Sequence, residues 1–294
     1  MIDYLQPYFS KFSSILKSYQ ACKVLSYKAA ATALVPRFIK HPPKLIDKGS
    51  YLLIQSGESA PIVIPVTLSS PKELIKVLII TCEEYGGVFD IPKPYADALA
   101  TKGYTLYKRP WGNIDFVFET QHLIKLSGGR YKQMRKAFRK FKSDAFTQRL
   151  LLSEEYVIVD ELCELWAKSK KDQGGRVGNI GYAAEYTKHL DLYPEEMRAL
   201  VLGTFYGDSL IGVSIGCMLT SDFWVTGYGY GDKTYRSIIT YGLHSLSKHY
   251  EDVPFECDGD AGTPSSGIYH HKQKLLSPLV LNKQNYSYVV KNER

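Results

Sequence analysis

Apolar residues recur at three- and four-residue intervals across residues 4–33, which predicts one or two helices. Pro36, Pro42 and Pro43 are expected to break that pattern, and residues 51–55 and 62–66 read as short strands parted by Ser56-Gly57-Glu58. Residues 71–84 are amphipathic, with Leu74, Val77, Leu78 and Cys82 on one side, and stop at Gly86-Gly87. Strands at 88–91, 104–108 and 114–119 and a helix at 95–102 complete the first half. The second half opens with a helix at 154–171, whose Val157, Leu162, Leu165 and Trp166 should point inward, a glycine-rich loop at 172–181, and a helix at 182–192. Strands at 199–206, 210–219 and 223–230 follow through tight turns at Gly207-Asp208 and Thr220-Ser221-Asp222. A helix at 234–249, a strand at 254–257 and one or two strands within 279–290 end the pattern. Alternating strands and helices predict mixed α/β layers.

Composition narrows the class. The 294 residues are 45% hydrophobic and 23% charged, which excludes a disordered chain and a disulfide-stapled miniprotein. The length suits two domains, and we place their boundary near residue 150, giving 1–150 and 151–294. No run approaches a membrane span and no basic stub precedes an apolar run, so the expected location is cytoplasmic or peripheral to a membrane. Cys22, Cys82, Cys163, Cys217 and Cys257 are scattered, with no C-x-x-C, which predicts plain thiols and no metal site.

Charge is concentrated. Lys and Arg number 37 against 30 Asp and Glu, and seven cations with no carboxylate lie within residues 130–142 (Arg130, Lys132, Arg135, Lys136, Arg139, Lys140, Lys142). Tyr131, Met134, Phe138 and Phe141 fall on one helical face of that segment, and Ser127-Gly128-Gly129 offers a cap and a turn before it. One reading is a solvated helix packed by its stripe. The other is a grip for a polyanion such as tRNA, coenzyme A phosphates or lipid headgroups, since like charges without acidic partners forgo i,i+4 pairing.

The strand meander followed by a helix and a strand resembles the core order of the GNAT acyltransferase fold. Asp115-Phe116-Val117-Phe118, Leu123, then Leu126-Ser127-Gly128-Gly129-Arg130-Tyr131-Lys132-Gln133-Met134-Arg135 resembles the signature of the phosphatidylglycerol lysyltransferase C-terminal domain family. So does Asp260-Ala261-Gly262 with Gly267-Ile268-Tyr269-His270-His271-Lys272. Glu185, Leu190 and Leu192 fit the same pattern, and Fem-type aminoacyltransferases carry a similar basic helix. Met134-Arg135-Lys136 replaces the family's Lys-Arg-Asn, and Tyr269 stands where it has arginine. The resemblance implies an α/β fold of two tandem GNAT-like domains and an acyl transfer from aminoacyl-tRNA to an amine or hydroxyl on a lipid headgroup, peptide or small molecule. No resident cofactor is expected. The alternatives are acyl-coenzyme A as donor, or a non-catalytic protein that binds nucleic acid or an anionic membrane.

An activated ester needs two positioned substrates, a stabilised oxyanion and one proton acceptor. By the resemblance Asp260 matches the family aspartate and Lys272 the family lysine, which would hold a phosphate or the oxyanion. Asp258, at the strand end, is the second carboxylate, and His270 could relay a proton. Donor contacts are assigned to Arg130, Lys132, Arg135, Arg139 and Arg236, with Tyr269 and Glu185 beside the substrates. Trp224, Thr226, Tyr228 and Tyr230 should share one face of a strand, as core or as an acceptor pocket. Capping turns and core packing remain the alternative roles for these residues.

Overall fold

The computed structural model describes residues 5–24, 30–57, 59–108, 115–174, 177, 180–258, 272–273, 280–282 and 287–290. Helices α1 (Gln6–Phe9), α2 (Phe12–Ala21) and α3 (Ala31–Lys40) precede β1 (Lys44–Asp47), β2 (Tyr51–Gln55) and β3 (Ile62–Pro65). Next come α4 (Pro71–Tyr85), β4 (Gly87–Ile91), α5 (Lys93–Ala100), β5 (Thr105–Lys108), β6 (Asp115–Glu119) and α6 (Thr120–Lys125). The basic segment forms α7 (Lys132–Phe138) between 3-10 turns at Gly129–Tyr131 and Arg139–Lys142. Then follow β7 (Phe146–Leu150), α8 (Tyr156–Asp172), α9 (Tyr182–Lys188), β8 (Leu200–Tyr206), β9 (Ser209–Met218) and β10 (Phe223–Gly231). Helix α10 (Ile238–Leu246), β11 (Phe255–Asp258), β12 (Val280–Asn282) and β13 (Ser287–Val290) complete the described elements.

Local chemistry sets these boundaries. In α4, the Ser70 hydroxyl accepts from Glu73 N while the Glu73 carboxylate accepts from Ser69 N at 2.7 Å, Pro71 opens the first turn, and Gly86 ends the helix at φ +73°. Pro36 does not break the chain as expected: it lies inside α3, buried with Leu34, Val35 and Phe38. Helix α10 starts four residues later than periodicity suggests, because Asp232 Oδ1 accepts from Thr234 N at 2.9 Å and Ser237 adopts φ +73°. The edge strand β7, the short β1 and α6 escaped the pattern reading.

Three sheets result. One orders β1-β2-β3, one orders β4-β13-β5, and a seven-stranded sheet runs β12-β6-β11-β10-β9-β8-β7. The chain segments on either side of residue 150 exchange strands. Strand β6 lies between β11 and β12, whereas β13 lies between β4 and β5. All the pairings of the large sheet are antiparallel except β10 with β11, which run parallel from Phe223/Phe255 to Thr226/Asp258.

The large sheet separates two apolar cores. On one face, α8 and α9 pack with α2 and α3 around Val213, Ile215, Cys217 and Val225. On the other, α6, α7 and α10 cover Phe116, Phe118, Leu202 and Trp224. Trp224 is fully buried, stacked on Tyr250 at 4.5 Å, and its Nε1 donates to Thr120 Oγ1 at 3.0 Å across the β6–α6 junction. Replacing Thr120 with Val should leave this indole N–H without its acceptor and cost about 1–3 kcal/mol, which urea unfolding monitored by tryptophan fluorescence would measure.

Candidate functional site

A single-residue irregularity in β10 fixes which side chains face which core. Thr226 pairs with Gly216 and Tyr228 with Ile215, so Gly227 is an extra residue, a β-bulge. The bulge reverses the alternation that strict two-residue periodicity would give. Trp224 therefore faces the α7/α10 side, whereas Tyr228 and Tyr230 face the α8/α9 side. The expectation that Trp224, Tyr228 and Tyr230 share one face is thus corrected. Tyr228 and Tyr230 lie 6.2 Å apart with rings nearly parallel, Trp166 meets Tyr230 edge-on at 5.0 Å, and burial raises both tyrosine pKa values, keeping the hydroxyls protonated.

Strand β10 continues to Gly231 along β9, and its described pairing with β11 runs from Phe223/Phe255 to Thr226/Asp258. Tyr228, Tyr230 and the Asp232–Ser237 turn follow at this end of β10.

On the α7/α10 side of that end lies a cleft of about 650 Å³. Met134 and Phe138 form its apolar floor, and Lys136, Lys140, Arg236, Ser237 and Thr240 line it. Lys136 and Lys140 are four residues apart on a flank of the apolar stripe, and Arg236 comes from the turn before α10. The stripe itself is fully used: Tyr131, Met134, Phe138 and Phe141 are buried, with Phe141 stacked on Tyr241 of α10 at 4.6 Å. The basic segment is therefore both a core helix and a cationic wall.

The sequence-selected cations divide. Arg236 lines the cleft, but Lys132 and Arg139 are exposed and do not. Arg135 donates from Nη1 to the Leu126 and Gly128 carbonyls, the latter at 2.9 Å. Leu126 holds φ +45° and Gly128 φ +87°, so this guanidinium fastens a turn of left-handed residues at the entrance to α7. Arg130 belongs to the 3-10 turn before α7, and its side chain lies outside the described residues. Glu185 is half-buried on α9 with its carboxylate 3.6 Å from His189 Nε2. Asp258 closes β11, with its side chain outside the described set; Asp260, Tyr269 and His270 lie wholly outside it, and Lys272 is half-buried.

Two residue types at the site were not singled out beforehand. Lys136 and Lys140, rather than Lys132 and Arg139, line the cleft, a choice that helical spacing relative to Met134 and Phe138 could have made. Glu256 is fully buried in β11, opposite Trp224 and Phe118 in register, and its Oε1 accepts from Thr226 N at 3.4 Å, just before the bulge. A carboxylate within Phe255-Glu256-Cys257 is the signal for it. The buried thiols are poor nucleophiles: burial, reinforced by Asp160, pushes Cys163 up to about 12.

His244 on α10 joins the helices of this face. Its Nδ1 lies 2.7 Å from the Leu123 carbonyl of α6 and its ring 5.3 Å from Phe138 of α7. Burial lowers its pKa, with Lys248 and Lys142 acting in the same direction against the Leu123 hydrogen bond.

No protein-family model and no curated protein matches the sequence. Solved structures do match in fold. A conserved protein of unknown function from Bacteroides thetaiotaomicron superposes with TM-score 0.72 at 10% identity, covering 94% of this chain and 97% of that one. FemX superposes with TM-score 0.65 at 9% identity, over 95% and 96%. The C-terminal domain of a putative lysylphosphatidylglycerol synthetase from Agrobacterium fabrum gives TM-score 0.57 at 9% identity, over 96% and 93%. The chain thus has the mixed α/β fold that these proteins share.

Two outcomes follow from the geometry. Arg135→Gln should lower unfolding stability by about 1–3 kcal/mol, as read by chemical denaturation, because two carbonyls of the Leu126–Gly128 turn lose their donor. As pH falls through the ordinary histidine range near 6.5, the unfolded chain should take up protons before native His244 does, so stability declines toward acid. Denaturation midpoints measured from about pH 7.5 to about pH 5.5 should fall, and His244→Gln should make the decline shallower. His189 and His249, whose pKa values are also lowered by burial, would keep the rest of the slope.

Proposed function

We propose that the protein is an acyltransferase that takes an aminoacyl group from aminoacyl-tRNA and places it on an amine or hydroxyl. The observation that carries this reading is the convergence of Lys136, Lys140 and Arg236 on one cleft beside the turn that follows β10. Cations from two elements, with no carboxylate among the described residues that line the cleft, suit the phosphates of an anionic donor. The remaining exposed cations of the basic segment, Lys132, Arg139 and Lys142, would extend that grip along a nucleic-acid backbone. The shared fold supports a transferase, and one of its members is named for making lysylphosphatidylglycerol.

In this reading the donor ester enters from the α7/α10 face and its carbonyl lies near the carboxy-terminal end of β10. The acceptor nitrogen or oxygen attacks the carbonyl carbon and the ester C–O bond breaks. The acceptor's proton passes to a carboxylate, for which Asp258 and Asp260 are the candidates, and a proton returns to the departing ribose hydroxyl. Donor activation makes an enzyme nucleophile unnecessary, in keeping with thiols that are all buried. The cleft volume also falls within the range of small-molecule sites, which favours acyl-coenzyme A as the second donor to test.

Filter binding of aminoacyl-tRNA to the wild type and to Lys136→Glu/Lys140→Glu/Arg236→Glu should show at least about a tenfold loss in the variant, and a steep decline with salt in the wild type. Coenzyme A esters should compete only if they are the donor. Unchanged tRNA binding in the triple variant would overturn the donor assignment. Failure of bound aminoacyl-tRNA to lose its aminoacyl group to any amine or hydroxyl in a cell extract would overturn the transferase reading.

A further inference from the structure

Strand β8 ends in Tyr206, which is 47% exposed beside the Gly207-Asp208 turn. Its ring lies 5.0 Å from Phe146 of β7 and 5.8 Å from Tyr235 in the β10–α10 turn. Phe146 and Tyr235, both half-buried, meet edge-on at 5.9 Å, so three rings close on one another with Tyr206 outermost. This cluster joins the cationic cleft at two points. Phe146 packs at 89° against Phe141, 5.3 Å away, and the Lys140 ammonium sits 4.7 Å over that Phe141 ring. Tyr235 immediately precedes Arg236, which lines the cleft. Lys142, exposed, follows Phe141 at the end of the basic segment. The carboxylates of the same surface are those of exposed Asp144 and Asp208, on segments joined by the Gly207 N–H, which donates to the Ala145 carbonyl at 3.0 Å. A single exposed tyrosine needs no explanation. This one is backed by two further rings and stands beside cations that already converge on a cleft.

We propose that Tyr206, backed by Phe146 and Tyr235, is a stacking platform for a nucleobase of the donor whose phosphates enter the Lys136/Lys140/Arg236 cleft. The proposal deepens the donor reading above and rests on it. Every nucleobase has a π-face, so stacking on tyrosine tolerates any sequence while neighbouring cations hold the phosphates. Ring contacts restrain Tyr206 before a base arrives, which lowers the ordering cost of stacking. Asp144 and Asp208 repel phosphate, so the strand must approach from the side of Lys140, Lys142 and Arg236, and the platform thereby has a direction. Aminoacyl-tRNA offers unpaired bases at its 3′ end, and coenzyme A offers one adenine. Both join a base to phosphates, which is the chemistry that this surface fits.

Fluorescence anisotropy on the intact protein, with a short labelled single-stranded RNA and an abasic strand of equal length and charge, tests the platform. The wild type should bind the base-bearing strand about tenfold more tightly than the abasic one. Tyr206→Ala should abolish that preference by weakening the base-bearing strand alone, and its unchanged affinity for the abasic strand would report a folded variant. Tyr206→Phe should keep the preference, because stacking uses the ring and not the hydroxyl. Equal binding of the two strands by the wild type, a preference that survives Tyr206→Ala, or equal weakening of both strands in that variant would each overturn the proposal. The Lys136→Glu/Lys140→Glu/Arg236→Glu variant separates this outcome from the donor assignment. If that variant loses affinity for both strands while the wild type shows no base preference, the platform fails and the cleft stands. If the preference depends on Tyr206 but the triple variant binds as the wild type does, the cleft fails instead, and absence of binding by either strand overturns both. Coenzyme A and phosphopantetheine, compared as competitors, identify the source of the base. Displacement by coenzyme A alone, lost in Tyr206→Ala, assigns the base to coenzyme A, and failure of both to compete assigns it to RNA.

Discussion

The four-residue parallel pairing of β10 with β11 governs the rest of the molecule. A parallel neighbour cannot be reached by a tight turn, so α10 must cross over between the two strands. That crossover brings α10 onto the same face as the basic helix and gives His244 and Tyr241 their partners. The bulge at Gly227, just beyond the Thr226/Asp258 pair, turns Tyr228 and Tyr230 toward the opposite core from Trp224. One short contact thereby sets a cationic cleft on one side and packed tyrosines on the other.

The basic segment illustrates how one helix serves packing and electrostatics together. The four residues of its apolar stripe are buried and its described cations are exposed, so those cations need no intramolecular partner to be tolerated. Arg135 departs from this division, since its guanidinium holds the turn that aims the helix. Charge within the segment is therefore not interchangeable: position around the helix decides whether a cation shapes the cleft, lines it or faces away.

Much of this was legible in the sequence and some was not, for physical reasons. The stripe Tyr131, Met134, Phe138 and Phe141, the amphipathic face of α4 and the Gly207-Asp208 hairpin are local patterns, and local sterics and burial decide them. Pro36 within α3 and the late start of α10 depend on packing and on one Asp232 side chain, which periodicity does not register. The bulge was invisible because Thr226-Gly227-Tyr228 satisfies an alternating pattern as well as an interrupted one. Helical spacing from Met134 and Phe138 could have selected Lys136 and Lys140, but that Arg236 joins them depends on where the turn before α10 packs, which a linear reading does not contain. Strand exchange lay beyond reach for the same reason: no residue in β6 or β13 states which sheet will accept it.

That exchange has a bearing on how the chain is made. Strands β4 and β5 are bridged by β13, which is synthesised roughly 200 residues after β4. The sheet they form cannot close on a ribosome until residue 290 has cleared the exit tunnel, whereas α4 and the β1–β3 ladder can assemble much earlier. The nascent amino-terminal half therefore waits with the edges of β4 and β5 that β13 will bridge still unpaired, an arrangement open to pairing with other chains until then.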